Sequence, residues 1–299
     1  MSGNPRRTLL NFVATLATCA AMPSGAALDP GASANDAAAL RARHAQLRDS
    51  LAHNDFGRPL HLESTEGNGR LKGDVYAELA HPYARVESGL AAAAGWCELL
   101  TLPFNVKRCE ARGSDGISLF IGRTPETPVA QATRIDFHYA VLKRGDDLLQ
   151  VQLDAPSGPL GTKGYRIVLE ATPLAEGRTF MHMSYGYAFG ALSRLAMQTY
   201  LATSGSRKVG FSRGEDGEPL VKGMRGVLER NTMRYFLAIE AYLDTLAAPP
   251  AQRASRRLLA WFDATERYPR QLHEMERDDY LALKRRDLAA AGTRVAEGS

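Results

Sequence analysis

The sequence predicts an α+β chain in which an antiparallel sheet with one apolar face is covered by a long amphipathic helix, with further helices after it. Three observations predict it. Between Arg134 and Phe189 four successive segments alternate apolar and polar residues, the period of two expected of half-buried strands. The connections between those segments, near residues 143–147, 158–161 and 176–177, are short enough for antiparallel neighbours. From Met224 to Leu246, residues Leu228, Thr232, Tyr235, Ile239, Leu243 and Leu246 recur at spacings of three and four, which gives a helix with an apolar stripe suited to lie on a sheet.

Taken in chain order, Arg6 and Arg7 precede an apolar stretch from Leu9 to Met22, and Gly25, Ala26 and Ala27 follow it with small side chains. This is the pattern of a cleaved secretory signal peptide over residues 1–27, which places the mature chain in the periplasm or outside the cell with no permanent membrane span. A retained anchor is the alternative. Arg6, Arg7 and Thr8 loosely resemble a twin-arginine signal, and Leu16 to Cys19 loosely resemble a lipoprotein box. Residues 28–56 read as a Gly/Ala/Ser linker followed by a surface helix with Ala37, Leu40, His44, Leu47 and Leu51 on one face.

Strands over 59–66 and 71–79 are joined through Glu66, Gly67, Asn68 and Gly69, strong turn chemistry, and Pro82 ends the pair. Two short helices, 84–93 and 96–102, precede strands at 106–111 and 118–123. In the meander, Ile135, Phe137, Tyr139 and Val141 share a face, as do Leu149, Val151 and Leu153, then Tyr165, Ile167 and Leu169, then Met181, Met183, Tyr185, Tyr187 and Phe189. His138 and His182 fall on the opposite, wet face and read as surface histidines. A helix over 192–203 and a short strand over 208–213 separate the meander from the long helix. Helices at 251–267 and 270–290, split by Pro269, form an extension over 248–299, after a main domain over 57–247. Residues 292–299 read as a loose tail.

Cys19 leaves with the signal, so Cys97 and Cys109 remain, and an exported chain with two cysteines this close invites one disulfide between a helix and a strand. Two free buried thiols are the alternative. Without residues 1–27 the chain carries 35 basic side chains, the 37 of the full sequence less Arg6 and Arg7, against 33 acidic ones. So even a balance argues against nucleic acid or an anionic membrane as the main partner.

The order of strand pair, two short helices, long antiparallel meander and long amphipathic helix resembles the helix-grip fold of START-like proteins, the SRPBCC or Bet v 1-like superfamily. The resemblance spans residues 71–246 and rests on topology, with no short motif. It implies a curved sheet wrapped around the long helix, with a hydrophobic ligand or lipid held between them. The chain departs from that pattern in residues 192–213 and in its helices after Ala247. Residues 229–246 and 261–275 also look like an uncharacterised family of exported bacterial proteins.

On that fold the pocket wall is Phe137, Tyr139, Tyr165, Met181, Met183, Tyr185 and Tyr187, with Tyr235 from the helix: soft side chains and phenol groups facing a ligand. The competing reading is a solid core. Arg225, Glu229, Arg230, Asn231 and Arg234 cluster at the start of the helix, and Arg225 with Glu229 shares one side of it. Arg225 is the candidate for holding a carboxylate or phosphate head group; a solvated, salt-bridged helix face is the alternative.

Catalytic signatures fail. Residues 158–163 lack phosphate-loop spacing, His273 and Glu274 are followed by Arg277 where a zinc-protease helix needs histidine, and no Gly-x-Ser-x-Gly elbow occurs. Neither Cys has a metal-ligand neighbour in sequence, so no metal and no cofactor are expected. The leading expectation is an exported carrier of a hydrophobic ligand without catalysis. A cyclase- or aromatase-like enzyme, with Glu229 or a tyrosine as proton donor, is the alternative from the same resemblance. A filled core whose charged C-terminal helices bind an envelope protein is the third.

Overall fold

A computed structural model describes residues 37–191, 194–195, 208–214 and 220–292. The expected signal peptide, linker and C-terminal tail, and almost all of the helix expected over 192–203, lie outside the described residues. The first element is α1 (Ala37–Ala52), followed by β1 (Leu60–Gly67), β2 (Arg70–Leu79), α2 (Tyr83–Leu90) and α3 (Ala93–Leu100). Six more strands follow as β3 (Val106–Arg112), β4 (Gly116–Ile121), β5 (Thr133–Arg144), β6 (Leu149–Ser157), β7 (Lys163–Pro173) and β8 (Thr179–Ala188). Then come α4 (Gly223–Thr245), α5 (Pro250–Thr265), the single turn α6 (Pro269–Leu272) and α7 (Arg277–Ala290).

All eight strands form one antiparallel sheet in the order β1-β2-β8-β7-β6-β5-β4-β3. After β2 the chain leaves the sheet through α2 and α3, re-enters at the far edge as β3, and meanders back until β8 pairs with β2. The β1–β2 connection has only Asn68 and Gly69 between paired residues, at φ 52° and 69°. Positive φ at both positions is the type I′ hairpin that Asn-Gly prefers, because its twist matches that of the strands.

The period-two faces hold. Leu62, Val75, Met183, Leu169 and Val151 run across neighbouring strands in register on the inner face, all buried in one cluster. Against that face lies α4, packed closely on β2, β1 and β8, with α3 beside it. At Gly73 in β2 an added Cβ would sit 2.6 Å from Thr232 Oγ1, so glycine is what lets the helix approach the strand there. The chain is thus α+β with the helix-grip arrangement. Beyond α4, Leu258, Trp261, Phe262, Leu272 and Tyr280 join the same core. The Trp261 indole N–H donates to Arg234 O at 3.2 Å and the Tyr280 hydroxyl to Leu102 O at 2.9 Å, so α5 is tied to α4 and α7 to the chain entering β3.

Three sequence expectations are corrected. Residues 208–213 form no strand: Gly210 N–H donates to Val221 O at 2.7 Å and Arg213 makes one isolated bridge with Leu220, so the segment is a bend closed on itself rather than a sheet member. The helix expected over 270–290 is broken again between Leu272 and Arg277. His182 is on the outer face as expected but is buried, because α1 lies across that face and forms a second core from Leu40, Leu47, Leu51, Tyr76, Leu148 and Phe180.

Cys97 on α3 and Cys109 on β3, twelve positions apart in sequence, form the disulfide, with Cα atoms 5.2 Å apart. Reduction is expected to lower unfolding stability by about 3 kcal/mol on the chain-entropy account. Urea denaturation with and without reductant checks this, and coincident curves would count against it.

Candidate functional site

The residues predicted to line a pocket do share the inner face, and the strand register decides which of them meet. Ala155 on β6 pairs with Tyr165 on β7, while Ile167 pairs with Tyr185 and Leu71 with Tyr187. Each ring thus lies beside an aliphatic side chain on the neighbouring strand. Four tyrosines converge there. Tyr165 stacks on Tyr187 with centroids 5.1 Å apart, Tyr185 lies 5.8 Å from Tyr187 and 6.3 Å from Tyr165, and Tyr235 of α4 meets Tyr185 edge-on at 5.2 Å. Offset and edge contacts of this kind suit the ring quadrupoles.

The phenols differ in surroundings. Tyr165 Oη lies 2.7 Å from Thr162 Oγ1. Burial pushes the Tyr185 hydroxyl well above its ordinary pKa, with the neighbouring tyrosines adding to it, and burial pushes Tyr235 up to about 12. Tyr187 and Tyr165 are raised by burial as well. All four are therefore neutral at physiological pH and able to donate a hydrogen bond. Tyr185 and Tyr187 are buried, whereas Tyr165 and Tyr235 keep part of their surface accessible.

Met181 and Met183 are wholly buried, and Phe137 and Tyr139 nearly so. Tyr139 is separate from the cluster: its hydroxyl donates to Leu90 O at 3.0 Å, the carbonyl that also accepts Trp96 Nε1 at 2.9 Å, while Tyr242 donates to Gly89 O at 3.1 Å. These three side chains satisfy the carbonyls at the C-terminal end of α2, which a helix leaves without intrahelical partners.

Arg225 and Glu229 are brought together, in company that the sequence did not predict. The Glu229 side chain is fully buried. Its carboxylate accepts the Ser64 and Ser212 hydroxyls, the Phe211 N–H at 2.6 Å and the Ser212 N–H at 2.9 Å. Arg225 Nε donates to Ser64 Oγ at 2.7 Å and stands 3.9 Å from Glu229 Oε1. Four donors on one carboxylate make a clamp that joins β1, the 208–214 segment and α4. Ser64 and Ser212 carried no signal in the sequence, since each is an ordinary polar residue until the chain brings it to Glu229.

A second polar group lies on the outer face beneath α1. His182 Nε2 is 2.9 Å from Asp74 Oδ1 and Nδ1 is 3.0 Å from Glu170 Oε2, with the ring stacked on Tyr76 at 4.3 Å. Gln150 Nε2 donates to Glu170 Oε1 at 3.0 Å and Lys72 stands 3.1 Å from Asp74. The polar positions were visible in the strand alternation, and their meeting depends on the pairing of β2, β8, β7 and β6. Among the described residues no group of three or more His, Cys, Asp or Glu is placed to hold a metal ion, and no helix is long and apolar enough to cross a membrane.

No protein-family model matches the chain, and no curated protein matches it. Solved structures similar to it include a START superfamily protein from Mycobacterium smegmatis, 12% identical at a TM-score of 0.36, over 62% of this chain and 99% of that one. Norcoclaurine synthase from Thalictrum flavum is 17% identical at a TM-score of 0.31, over 47% and 85% of the two chains. A conserved protein from Geobacillus kaustophilus is 16% identical at a TM-score of 0.35, over 58% and 95%.

Proposed function

We propose that the chain is an exported binding protein that holds a hydrophobic small molecule or a lipid between the inner sheet face and α4, without chemistry on it. The observation that carries this reading is the tyrosine cluster. Tyr235 sits deep enough for burial to push its pKa to about 12, yet part of its surface, like that of Tyr165, remains accessible. Neutral donors on apolar walls suit a ligand that is mostly hydrocarbon with one polar group. On this reading the buried Met181, Met183, Phe137 and Tyr139 serve as floor and far wall, and Arg225 with Glu229 stands at the β1 side. Export is supported by the Cys97–Cys109 disulfide and by the apolar N-terminal segment.

The test is native mass spectrometry with lipid extraction on the mature protein purified from a bacterial periplasm. A co-purifying hydrophobic mass is expected, and Tyr185→Trp or Met183→Trp, which fill the space, are expected to lower its occupancy at least tenfold. A clean apo mass with no binding across a lipid panel would sink the carrier reading. It would favour a packed core, a second reading supported by the complete burial of Met181 and Met183, with the C-terminal helices meeting an envelope partner.

A further inference from the structure

The last helix is fastened to the edge of the sheet by buried charges that do not balance. On α7 the buried positions are Tyr280, Leu283, Lys284 and Asp287, the i, i+3, i+4, i+7 stripe of a helix that packs on one side, and two of the four are charged residues. Tyr280 holds the first turn, its ring 5.3 Å from Trp261 and 5.5 Å from Phe262 of α5. Further along, Lys284 and Asp287 meet Lys107 of β3, the edge strand on which α7 packs. A register shift between Val106 and Arg108 makes Lys107 the extra residue of a bulge. Lys107 is therefore buried next to Val106, although successive strand residues ordinarily face opposite ways.

Both amines turn to one oxygen. Lys107 Nζ lies 3.3 Å and Lys284 Nζ 3.6 Å from Asp287 Oδ2, and all three side chains are buried. Their other partners are uncharged: Lys284 donates to Val106 O at 2.6 Å and to Pro103 O at 3.5 Å, and Lys107 donates to Pro125 O. Among the described residues, the charges that act on Lys284 are Asp287 from its own helix and Lys107 from β3. The surrounding charges are engaged or face water. Arg108 pairs with Glu110 on β3, Arg257 of α5 with Glu98 of α3, and Arg277 with Asp263, while Arg123, Glu126, Arg285 and Arg286 are exposed. Two cations against one anion leave a net positive charge out of water, and a buried base relieves that cost by giving up its proton. Burial, partly offset by Asp287 and reinforced by Lys107, lowers Lys284 from the ordinary 10.5 to about 8.

We infer that α7 is a pH-sensitive clasp on the edge of the sheet, held loosely while both lysines carry their protons and tightly once Lys284 has lost its own. The neutral amine can still donate to Val106 O, so the bond survives the loss of charge. A base whose pKa falls on docking releases its proton as the helix docks. Docking is therefore weakest below about 8 and strengthens as pH rises from there towards 10.5. Loosening bares the carbonyls of Pro103 and Val106 where β3 begins, on a strand edge open to pairing. The clasp does not depend on the carrier reading.

The experiment is amide hydrogen exchange on the full mature chain from pH 7 to pH 9, each rate divided by that of an unstructured peptide of the same sequence at the same pH. Protection of residues 281–288, relative to the amides of β5 to β8, is expected to rise at least about fivefold across that range. Lys284→Met, similar in length and uncharged, is expected to be better protected than the parent at pH 7 and to show no rise. Lys107→Met removes the neighbouring ammonium and is expected to move the rise to higher pH. Glu297→Gln, in the tail that follows α7, is expected to leave the rise unchanged. A flat parent profile, a rise that persists in Lys284→Met, weaker protection of that variant at pH 7, an unmoved rise in Lys107→Met, or loss of the rise in Glu297→Gln would each overturn the inference. Exchange reads α7 locally, whereas global unfolding also carries the titration of His182. Because none of the reporting amides belongs to the tyrosine cluster, failure here is distinguishable from failure of the carrier reading.

Discussion

Replacing Glu229 with Ala is expected to lower the unfolding free energy by about 3–5 kcal/mol, the scale at which a buried, fully bonded charge loses its place. The change removes a carboxylate but leaves its donors behind. The Phe211 and Ser212 amides and the Ser64 and Ser212 hydroxyls would all face a void, and Arg225 would lose its nearby counter-charge. A backbone N–H buried without an acceptor forfeits its hydration and regains nothing. Glu229→Gln retains the volume and one accepting oxygen but turns an amide N–H₂ toward groups that themselves donate, so an intermediate loss of about 2 kcal/mol is expected. Urea denaturation measures both losses. Hydrogen exchange adds a local readout: the Phe211 and Ser212 amides are expected to exchange faster in Glu229→Gln while sheet amides stay protected. An Ala variant within about 1 kcal/mol of the parent would mean that the carboxylate is not what binds the 208–214 segment to α4.

His182→Leu is expected to cost a similar amount, about 3–5 kcal/mol, because it leaves Asp74 and Glu170 buried and facing an apolar group. The pH dependence separates this from a simple packing defect. Burial taken alone lowers the imidazole pKa, but the hydrogen bonds and charges of Asp74 and Glu170 outweigh it and hold the value above the ordinary 6.5. A base whose pKa rises on folding contributes stability in full below 6.5 and loses it as pH climbs through the raised, folded value. For Asp74, burial acts upward, while the hydrogen bond and charge of His182 together with Lys72 outweigh it, so its pKa lies below the usual 3.8. Its contribution is present above 3.8 and is lost as pH falls through the lowered value.

The charged groups packed around this pair are Lys72, Glu63 and Arg43, the last lying over the Tyr76 ring at 4.8 Å. The Glu63 carboxyl lies below its ordinary pKa and the Arg43 guanidinium above its own, so neither changes charge between pH 5 and pH 8. His61 stands 3.3 Å from Glu63, and His44 of α1 meets the Phe180 ring on the same face at 4.7 Å, so His61→Gln and His44→Gln serve as the controls. Denaturation midpoints measured from pH 4 to pH 9 are expected to peak between about 4 and 6.5 in the parent and to fall off more gently in His182→Leu. Parallel profiles for the two would refute the assignment.

Much of the architecture could be read from residue order. Period-two alternation identified the inner face of β5 to β8, and the spacing of Leu228, Ile239 and Leu243 identified α4 as its cover. Asn68-Gly69 named its own turn, and two cysteines twelve positions apart named their own bridge. These are local properties: a strand's alternation, a helix's stripe and a turn's φ angles are set by residues within a few positions of one another. Which tyrosines would touch was less legible, because Tyr165, Tyr185 and Tyr187 meet through strand register while Tyr235 joins them only where α4 crosses.

The tertiary structure alone decided the rest. Alternation told that His182 points away from the inner face, but not that α1, from more than a hundred residues earlier, would cover it. Likewise Glu229 gains Ser64 from 165 positions away and Ser212 from 17, and the rings of Phe56, Phe211 and Tyr268 meet from three segments that share no local pattern. The physical reason is common to all three. Local sequence determines which way a side chain points. Its burial, its hydrogen-bond partners and hence its charge state depend on what long-range packing places opposite it.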